Sequence, residues 1–297
     1  MIEAQAVSRP VPGFSVVIPA HNEAAVIERC LGAILAGAPA GEPEIIVVCN
    51  GCTDDTAARA RRFDSRVRVI ELAQGSKPLA LNAGNAAASS LPRFFVDADV
   101  VVSYASLAAT AEALRANEPR AAAPAARIDA SRAGALVQLY CSIWRRLPYL
   151  RKHQIGAGVY GLNSAGLERI GTFPNVIGDD QYVYEKFALG ERVSVARDTV
   201  GRPMEFTMFA PRTLSDLVKV ETRRRAGDDE IRTLLGHRQT SLPGHLRGLA
   251  LLALRPWLWP GLAVFLYVKI ESRRRYYAKK RAGAQHSWAR DDSSRGA

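Results

Sequence analysis

Sulfur is scarce in this sequence. Four cysteines, Cys30, Cys49, Cys52 and Cys141, stand in 297 residues. Cys49 and Cys52 form one C-x-x-C, but a zinc site needs a second pair of similar spacing and none exists. Ordinary reduced thiols are expected, which suits a reducing, cytosolic compartment. Met1–Val11 contains no apolar h-region, so no signal peptide is expected. A G-x-G-x-x-G loop is missing after the first strand-like run, which argues against a nicotinamide dehydrogenase. The glycine-rich opening of many nucleotidyltransferases is missing from the same place. Few aromatics accompany the basic end of the chain apart from Tyr276 and Tyr277, which argues against a nucleic-acid partner.

Apolar residues, by contrast, make up 48% of the chain, enough for one large core or one core with a small appendage. Forty basic residues against 29 acidic give a net charge of +11. That surplus points to a polyanionic partner, either anionic lipid or a phosphorylated substrate once nucleic acid is set aside.

Four short runs rich in Val, Ile or Phe read as strands: Ser15–Ala20, Glu44–Asn50, Val67–Leu72 and Arg93–Val100. Helix-like stretches separate them at Glu23–Gly37, Thr53–Phe63 and Lys77–Ser90. Such alternation implies an α/β fold with a mostly parallel sheet and helices on both faces. Further helices are expected over Ala133–Leu150, Asp179–Leu189 and Thr213–Leu235, with Ala121–Ala126 a strand or a connection.

Ligands of parallel sheets gather at the carboxyl ends of the strands. Those ends carry Pro19, Ala20, Asn22 and Glu23, then Asn50 and Gly51, then Gly75, Ser76 and Lys77, then Asp97 and Asp99. On an extended chain Asp97 and Asp99 would point to one side and share one ion. Magnesium and manganese both suit such hard oxygen ligands. Lys77 is placed to meet phosphate as a point charge. Asp179 and Asp180 open a helix, which fits capping; a carboxylate there also suits a general base that takes a hydroxyl proton.

The ordered motifs resemble glycosyltransferase family 2, over roughly Phe14 to Arg225. Ser15-Val16-Val17-Ile18-Pro19-Ala20-His21-Asn22-Glu23 is similar to the family's first strand and turn. Asn50-Gly51-Cys52-Thr53-Asp54-Asp55-Thr56 is similar to its second strand end, and Lys77-Pro78-Leu79-Ala80-Leu81-Asn82-Ala83-Gly84 to its lysine helix. Asp97-Ala98-Asp99 resembles its D-x-D, and Gly178-Asp179-Asp180 stands where the family usually has Glu-Asp. The resemblance implies a GT-A, Rossmann-like sheet and a nucleotide-sugar donor, by default a UDP-sugar, with Mn2+ or Mg2+ as cofactor. It implies that Pro19, Ala20, Glu23, Asn50, Lys77 and Asp97 contact the nucleotide sugar and that Asp99, with Asp97, binds the metal. Asp180 would be the catalytic base of an inverting transfer, and 156–161 would shape the sugar and acceptor side. Cys49-Asn50-Gly51-Cys52 departs from the family's usual Asp-Asp-Gly-Ser, which leaves the base less defined. No Gln-x-x-Arg-Trp is present, which favours a non-processive enzyme.

Two regions are expected: a glycosyltransferase domain over 1–235 and a basic helical region over 236–297. Gly248–Val268 carries Arg255 as its only charge but is broken by Arg255-Pro256 and Pro260-Gly261, whereas a simple span needs about 20 apolar residues. Lys269, Arg273, Arg274, Arg275, Lys279, Lys280 and Arg281 follow, opposed by Glu271. A re-entrant or interfacial anchor on the cytoplasmic face of the cell membrane is expected, bound to anionic headgroups. The acceptor would then be a saccharide or a lipid-linked intermediate of polysaccharide synthesis. Two alternatives stay open: a retaining transferase with the same donor site, and a non-catalytic basic protein that binds membrane or nucleic acid.

Overall fold

A computed structural model describes residues 13–147, 155–236 and 242–282. The N-terminal stretch Met1–Val11, the end of the helix expected to reach Leu150, Gln154 and the tail from Trp288 lie outside the described residues.

The chain opens with β1 (Ser15–Ala20), α1 (Ile27–Leu35), β2 (Glu44–Asn50), α2 (Thr56–Phe63), β3 (Val67–Leu72), α3 (Lys77–Ala87) and β4 (Arg93–Val96). β1 pairs in parallel with β2 and β4, and β2 with β3. Residue alternation along β1 sorts the side chains onto two faces. Val16, Ile18 and Ala20 join the core beneath α1 and α2, while Val17 joins Leu81 of α3 on the other side. Helices thus cover both faces, as the alternating pattern implies.

α3 lies unusually close to the sheet. A Cβ on Gly84 would fall 2.3 Å from Val17 Cγ1, so only glycine permits this approach. The helix begins at Ser76, whose hydroxyl accepts the Leu79 amide, and Pro78 occupies its first turn. This start fixes Lys77 at the strand ends.

The second half completes the sheet with β5 (Val101–Val102), α4 (Tyr104–Ala113), β6 (Ala121–Asp129), α5 (Ala135–Trp144), β7 (Val159–Leu162), α6 (Ser164–Ile170), α7 (Asp179–Lys186), β8 (Arg192–Val195) and β9 (Glu205–Phe209). The order is β3-β2-β1-β4-β7-β6-β9-β5, with β8 also on β6. β7 runs antiparallel to both β4 and β6, and β5 antiparallel to β9. A mostly parallel sheet therefore carries one reversed strand in its middle. That strand brings the 156–161 segment to the carboxyl end of β4.

One local expectation fails. The fourth strand ends at Val96, and residues 97–100 form a turn closed by the Val100 amide on the Asp97 carbonyl at 3.3 Å. Asp97 and Asp99 are not on an extended chain. The Asp97 amide still donates to the Gly158 carbonyl at 2.8 Å, continuing the β4–β7 pairing by one residue before the chain turns.

Three helices follow: α8 (Leu214–Leu235), α9 (Leu242–Ala253) and α10 (Trp259–Arg281). α10 packs on α5 and α8, where Phe265 and Val268 join Tyr140, Ile143, Leu217 and Val218 in one buried cluster. Phe265 stacks on Tyr140 with ring centroids 5.1 Å apart. Glu221 of α8, 5% exposed, meets Lys269 of α10 at 2.5 Å and Arg224 at 2.6 Å. The C-terminal helix is thus docked on the main body.

Candidate active site

Lys77, Asp97, Asp99, Asp179 and Asp180 line one cavity of about 230 Å³ at the carboxyl end of β4. The opposite wall comes from Met208 and Phe209 of β9 and from Val220, Arg223 and Arg224 of α8. A smaller cavity of about 60 Å³ adjoins it, sharing Ala157, Asp180 and Arg224 and adding Trp144, Gln181 and Asp228. Asp180 stands at the boundary between the two.

Lys77 is the electrostatic centre. Its ammonium lies 2.6 Å from Asp97 Oδ1 and 2.8 Å from Asp179 Oδ1. Burial alone would depress its pKa, but Asp179, Asp97 and Asp180 outweigh burial and hold it above the ordinary lysine value. Asp97 is raised as well, which in a carboxyl group favours the neutral form. Burial pushes it up to about 6, Asp179 and Asp99 add repulsion, and Lys77 only partly offsets them. Asp99 follows in the turn. Its carbonyl accepts from Arg29 Nη2 at 3.2 Å, and the Arg29 guanidinium sits 4.2 Å from the Phe209 ring, which ties the turn to β9.

Asp179 and Asp180 begin α7 after Gly178, whose φ of 93° turns the chain into the helix. Asp179 is buried and accepts the Tyr160 hydroxyl at 2.9 Å. Asp180 accepts the Ala157 amide at 2.8 Å and the amide of Gln181 at 2.8 Å. Neither aspartate caps the helix, because Gly178 holds the cap position, and the second bond lies within the first turn. The first reaches across to the glycine-rich segment before β7.

The remaining strand-end residues form a different neighbourhood. Pro19, Ala20, Glu23 and Asn50 are buried and do not line either cavity. Asn50 donates to the Ala20 carbonyl at 2.9 Å and accepts the Ser76 amide at 3.0 Å. Both ends of its amide thus bind β1 to the entrance of α3. The Glu23 amide donates to Thr56 Oγ1 at 2.7 Å, closing the first turn onto α2.

Sequence reasoning missed the Tyr160 contact, the Ala157 amide and the arginine wall. Tyr160 lies in the short, fully buried strand Val159–Leu162 and gives no sequence signal. The Gly156-Ala157-Gly158 run gave one, because close glycines mark backbone that approaches another group. Arg223 and Arg224 belong to the run Arg223–Arg225, and only the packing of α8 shows which of the three turn to the cavity.

A mostly parallel sheet with a lysine and four aspartates gathered around one cavity beyond its strand ends has the α/β arrangement in which ligands bind at the carboxyl ends of strands. Residues 15–164 match the model of the family described as glycosyl transferase family 2, and the chain belongs to that family. It is 36% identical over 94 residues to the glycosyltransferase AglE of Haloferax volcanii, covering 30% of this chain and 31% of that protein. It is 34% identical over 96 residues to validoxylamine A glucosyltransferase of Streptomyces hygroscopicus subsp. jinggangensis, covering 31% of this chain and 23% of that one. The matched segment thus spans a third or less of these curated relatives.

Among solved structures, the mannosyltransferase PcManGT from Pyrobaculum calidifontis, in complex with GDP-Man and Mn2+, superposes with a TM-score of 0.60 at 19% identity, over 92% of this chain and 76% of that one. Glucosyl-3-phosphoglycerate synthase from Mycobacterium tuberculosis, with Mn2+, UDP and glucosyl-3-phosphoglycerate, gives 0.53 at 19%, over 77% and 82%. These likenesses are of fold.

Proposed function

We propose that this protein is a glycosyltransferase that moves a sugar from a nucleoside diphosphate donor to a hydroxyl acceptor by single, inverting displacement. The observation that carries the reading is the meeting of Lys77, Asp97, Asp99 and Asp180 around one cavity at the strand ends of a family 2 fold. Mn2+ or Mg2+ is the implied cofactor. Among the described residues no cluster of three or more His, Cys, Asp or Glu is arranged to hold a metal alone. Asp97 and Asp99 fit the other arrangement, in which one or two carboxylates share the ion with substrate phosphates. The ion would supply charge neutralisation for the departing diphosphate.

The chain's own residues do the rest. Lys77 supports the negative diphosphate as a point charge. Asp180, fixed by the Ala157 amide, takes the proton of the attacking hydroxyl from the smaller cavity. Pro19, Ala20, Glu23 and Asn50 lie buried behind the nucleoside side of the crevice and support it, Asn50 by hydrogen bonds that hold β1 to the entrance of α3. A UDP-sugar remains the default donor.

The acceptor is proposed to be a lipid-linked or polysaccharide intermediate at the cytoplasmic face of the cell membrane. Among the described residues no single helix is long and apolar enough to cross a membrane. The pair Arg247–Ala253 and Pro256–Arg281 reaches that length and hydropathy together but bends by 109°. Around the bend Leu254 is 77% exposed and Trp257 73%. Trp259, Leu266, Tyr267 and Ile270 continue the exposed apolar surface, with Arg255, Arg273 and Arg274 beside it. That combination supports an interfacial anchor on anionic lipid. A thermal-shift panel of UDP-, GDP- and dTDP-sugars with and without Mn2+ tests the donor reading. Metal-dependent stabilisation by one of them is expected; indifference to all would refute it.

A further inference from the structure

Asp179 and Asp180 are adjacent in sequence and both line the main cavity, but their carboxylates are held by different partners. Asp180 faces the cavities and is held by the Ala157 amide. Asp179 is turned inward and is 5% exposed. One of its oxygens accepts the Tyr160 hydroxyl at 2.9 Å, and the other meets the Lys77 ammonium at 2.8 Å. Tyr160 is 1% exposed, and its ring stacks on Phe95 of β4 with centroids 5.2 Å apart. The anchor behind Asp179 is therefore part of the sheet core.

Lys77 has two carboxylate partners, and they differ in freedom. Asp97 lies in a turn, 34% exposed at its side chain, whereas Asp179 is 7% exposed at its own. A cation shared between Asp97, Asp99 and a diphosphate would draw Asp97 away from Lys77. Asp179 has no such option, because its second oxygen is committed to Tyr160.

We infer that Asp179, fixed by Tyr160, is the positioning residue that holds the Lys77 ammonium over the cavity where the donor diphosphate binds. This rests on the reading of that cavity as a diphosphate site. Asp179 touches neither donor nor acceptor; it acts through Lys77. A base role for the pair thus falls to Asp180 alone. A serviceable test keeps the shape of the site. Asn at 179 still accepts from Tyr160 but no longer attracts the ammonium.

The experiment is calorimetric titration of UDP, GDP and dTDP, with and without Mn2+, into the full chain and three variants: Asp179→Asn, Lys77→Met and the double variant. Loss of one charge-assisted contact weakens binding by about tenfold or more. Asp179→Asn is expected to show that loss in nucleotide affinity and in donor KM, with a smaller change in kcat. Asp179→Glu, which keeps the charge, should recover most of it. In the double variant, Asp179→Asn should add nothing to Lys77→Met, because the residue it positions is gone. A merely structural aspartate would lower the melting temperature and add its effect in full. Tyr160→Phe, which removes only the hydroxyl, should weaken nucleotide binding in the same direction and serves if the 179 variants fold poorly. Unchanged nucleotide affinity in Asp179→Asn, or full additivity with Lys77→Met, would overturn the positioning role alone. Failure of the unaltered protein to bind UDP, GDP or dTDP would overturn the diphosphate reading, and this inference with it.

Discussion

The Ala157 amide donates to Asp180 Oδ2 at 2.8 Å, and this bond joins the segment before β7 to the first turn of α7. Ala157 has φ of 61°, between Gly156 at 100° and Gly158 at 98°. Three successive residues in the left-handed region let the backbone curl under the carboxylate. A Cβ on Gly156 would lie 2.9 Å from Asp180 Cβ. Gly156→Ala should therefore push Asp180 out of place. The expected result is a fall in kcat of about a hundredfold, with nucleotide affinity nearly unchanged. Asp180→Asn should likewise retain nucleotide and lose transfer by about 100- to 10,000-fold. Steady-state transfer assays beside calorimetry check both; undiminished transfer by Asp180→Asn would place the base elsewhere.

Asp99 and Asp97 are the two carboxylates of the 97–100 turn that line the main cavity. Asp99→Ala leaves Asp97, whose Oδ1 is ion-paired with Lys77 at 2.6 Å, as the one carboxylate of the turn offered to the cation. Mn2+ should then give no extra stabilisation by nucleotide in a thermal-shift assay, and metal-dependent donor hydrolysis or transfer should disappear. Equal activity of the variant would refute the metal role.

The raised Asp97 pKa of about 6 gives a pH dependence with a definite sign. Burial and the neighbouring Asp179 and Asp99 favour its protonated form, and a proton competes with a metal for the same oxygens. Mn2+ affinity in the presence of nucleotide should hold above about 6 and fall about tenfold per pH unit below it, the slope of one competing proton. Asp97→Asn should be weak throughout and lose that slope. A flat profile for the unaltered protein between pH 5 and 8, followed by the paramagnetic signal of free Mn2+, would contradict the assignment.

The first four strands of the sheet were legible in the sequence because their signals are local. Apolar runs such as Glu-Ile-Ile-Val-Val-Cys-Asn at 44–50 form a strand at the expected residues, and Ser76 and Pro78 mark the start of α3. Lys77, Asp97, Asp99 and Asp180 were legible as strand-end or helix-start polar residues, and one cavity collects them. Two things were not. Asp97-Ala98-Asp99 leaves the strand in a turn closed by the Val100 amide on the Asp97 carbonyl, and the Asp97 amide is held by a carbonyl 61 residues later, at Gly158. Asn50 has its amide consumed by Ala20 and Ser76, partners 30 and 26 residues away. Such long-range pairings set side-chain direction without leaving a periodic trace in sequence.

Exposed apolar side chains around the α9–α10 break make a direct prediction about membranes. Trp257 and Trp259 project from the bend, next to Arg255. Each large apolar side chain that enters a bilayer contributes about 2 kcal/mol. The double variant Trp257→Ser/Trp259→Ser should reduce co-sedimentation with phosphatidylserine vesicles by at least about tenfold, with an unchanged melting temperature. Neutral phosphatidylcholine vesicles should bind the unaltered protein less, and added salt should weaken the anionic case. Equal sedimentation of the variant would reject the interfacial anchor.

Removing α10 as a whole is a poorer test, because Glu221 fastens it to the main body. This carboxylate is buried. Burial opposes its ionisation, yet Arg224 and Lys269 outweigh that and hold its pKa down to about 2. Its folded value thus lies below the ordinary glutamate value of 4.5. The stabilisation is therefore present above about 4.5 and lost as pH falls towards about 2. Glu221→Gln keeps the shape but leaves Lys269 and Arg224 facing a neutral amide. The two cations are partly exposed, so the expected loss is about 1–3 kcal/mol rather than the full value of a completely buried pair. Urea unfolding at pH 7 should show that loss, and the gap between variant and unaltered protein should shrink between pH 4.5 and pH 2. Lys269→Met should lose a similar amount and leave nucleotide affinity unchanged, since Lys269 lines neither cavity. A constant gap at every pH would show that the ion pair does not secure the helix.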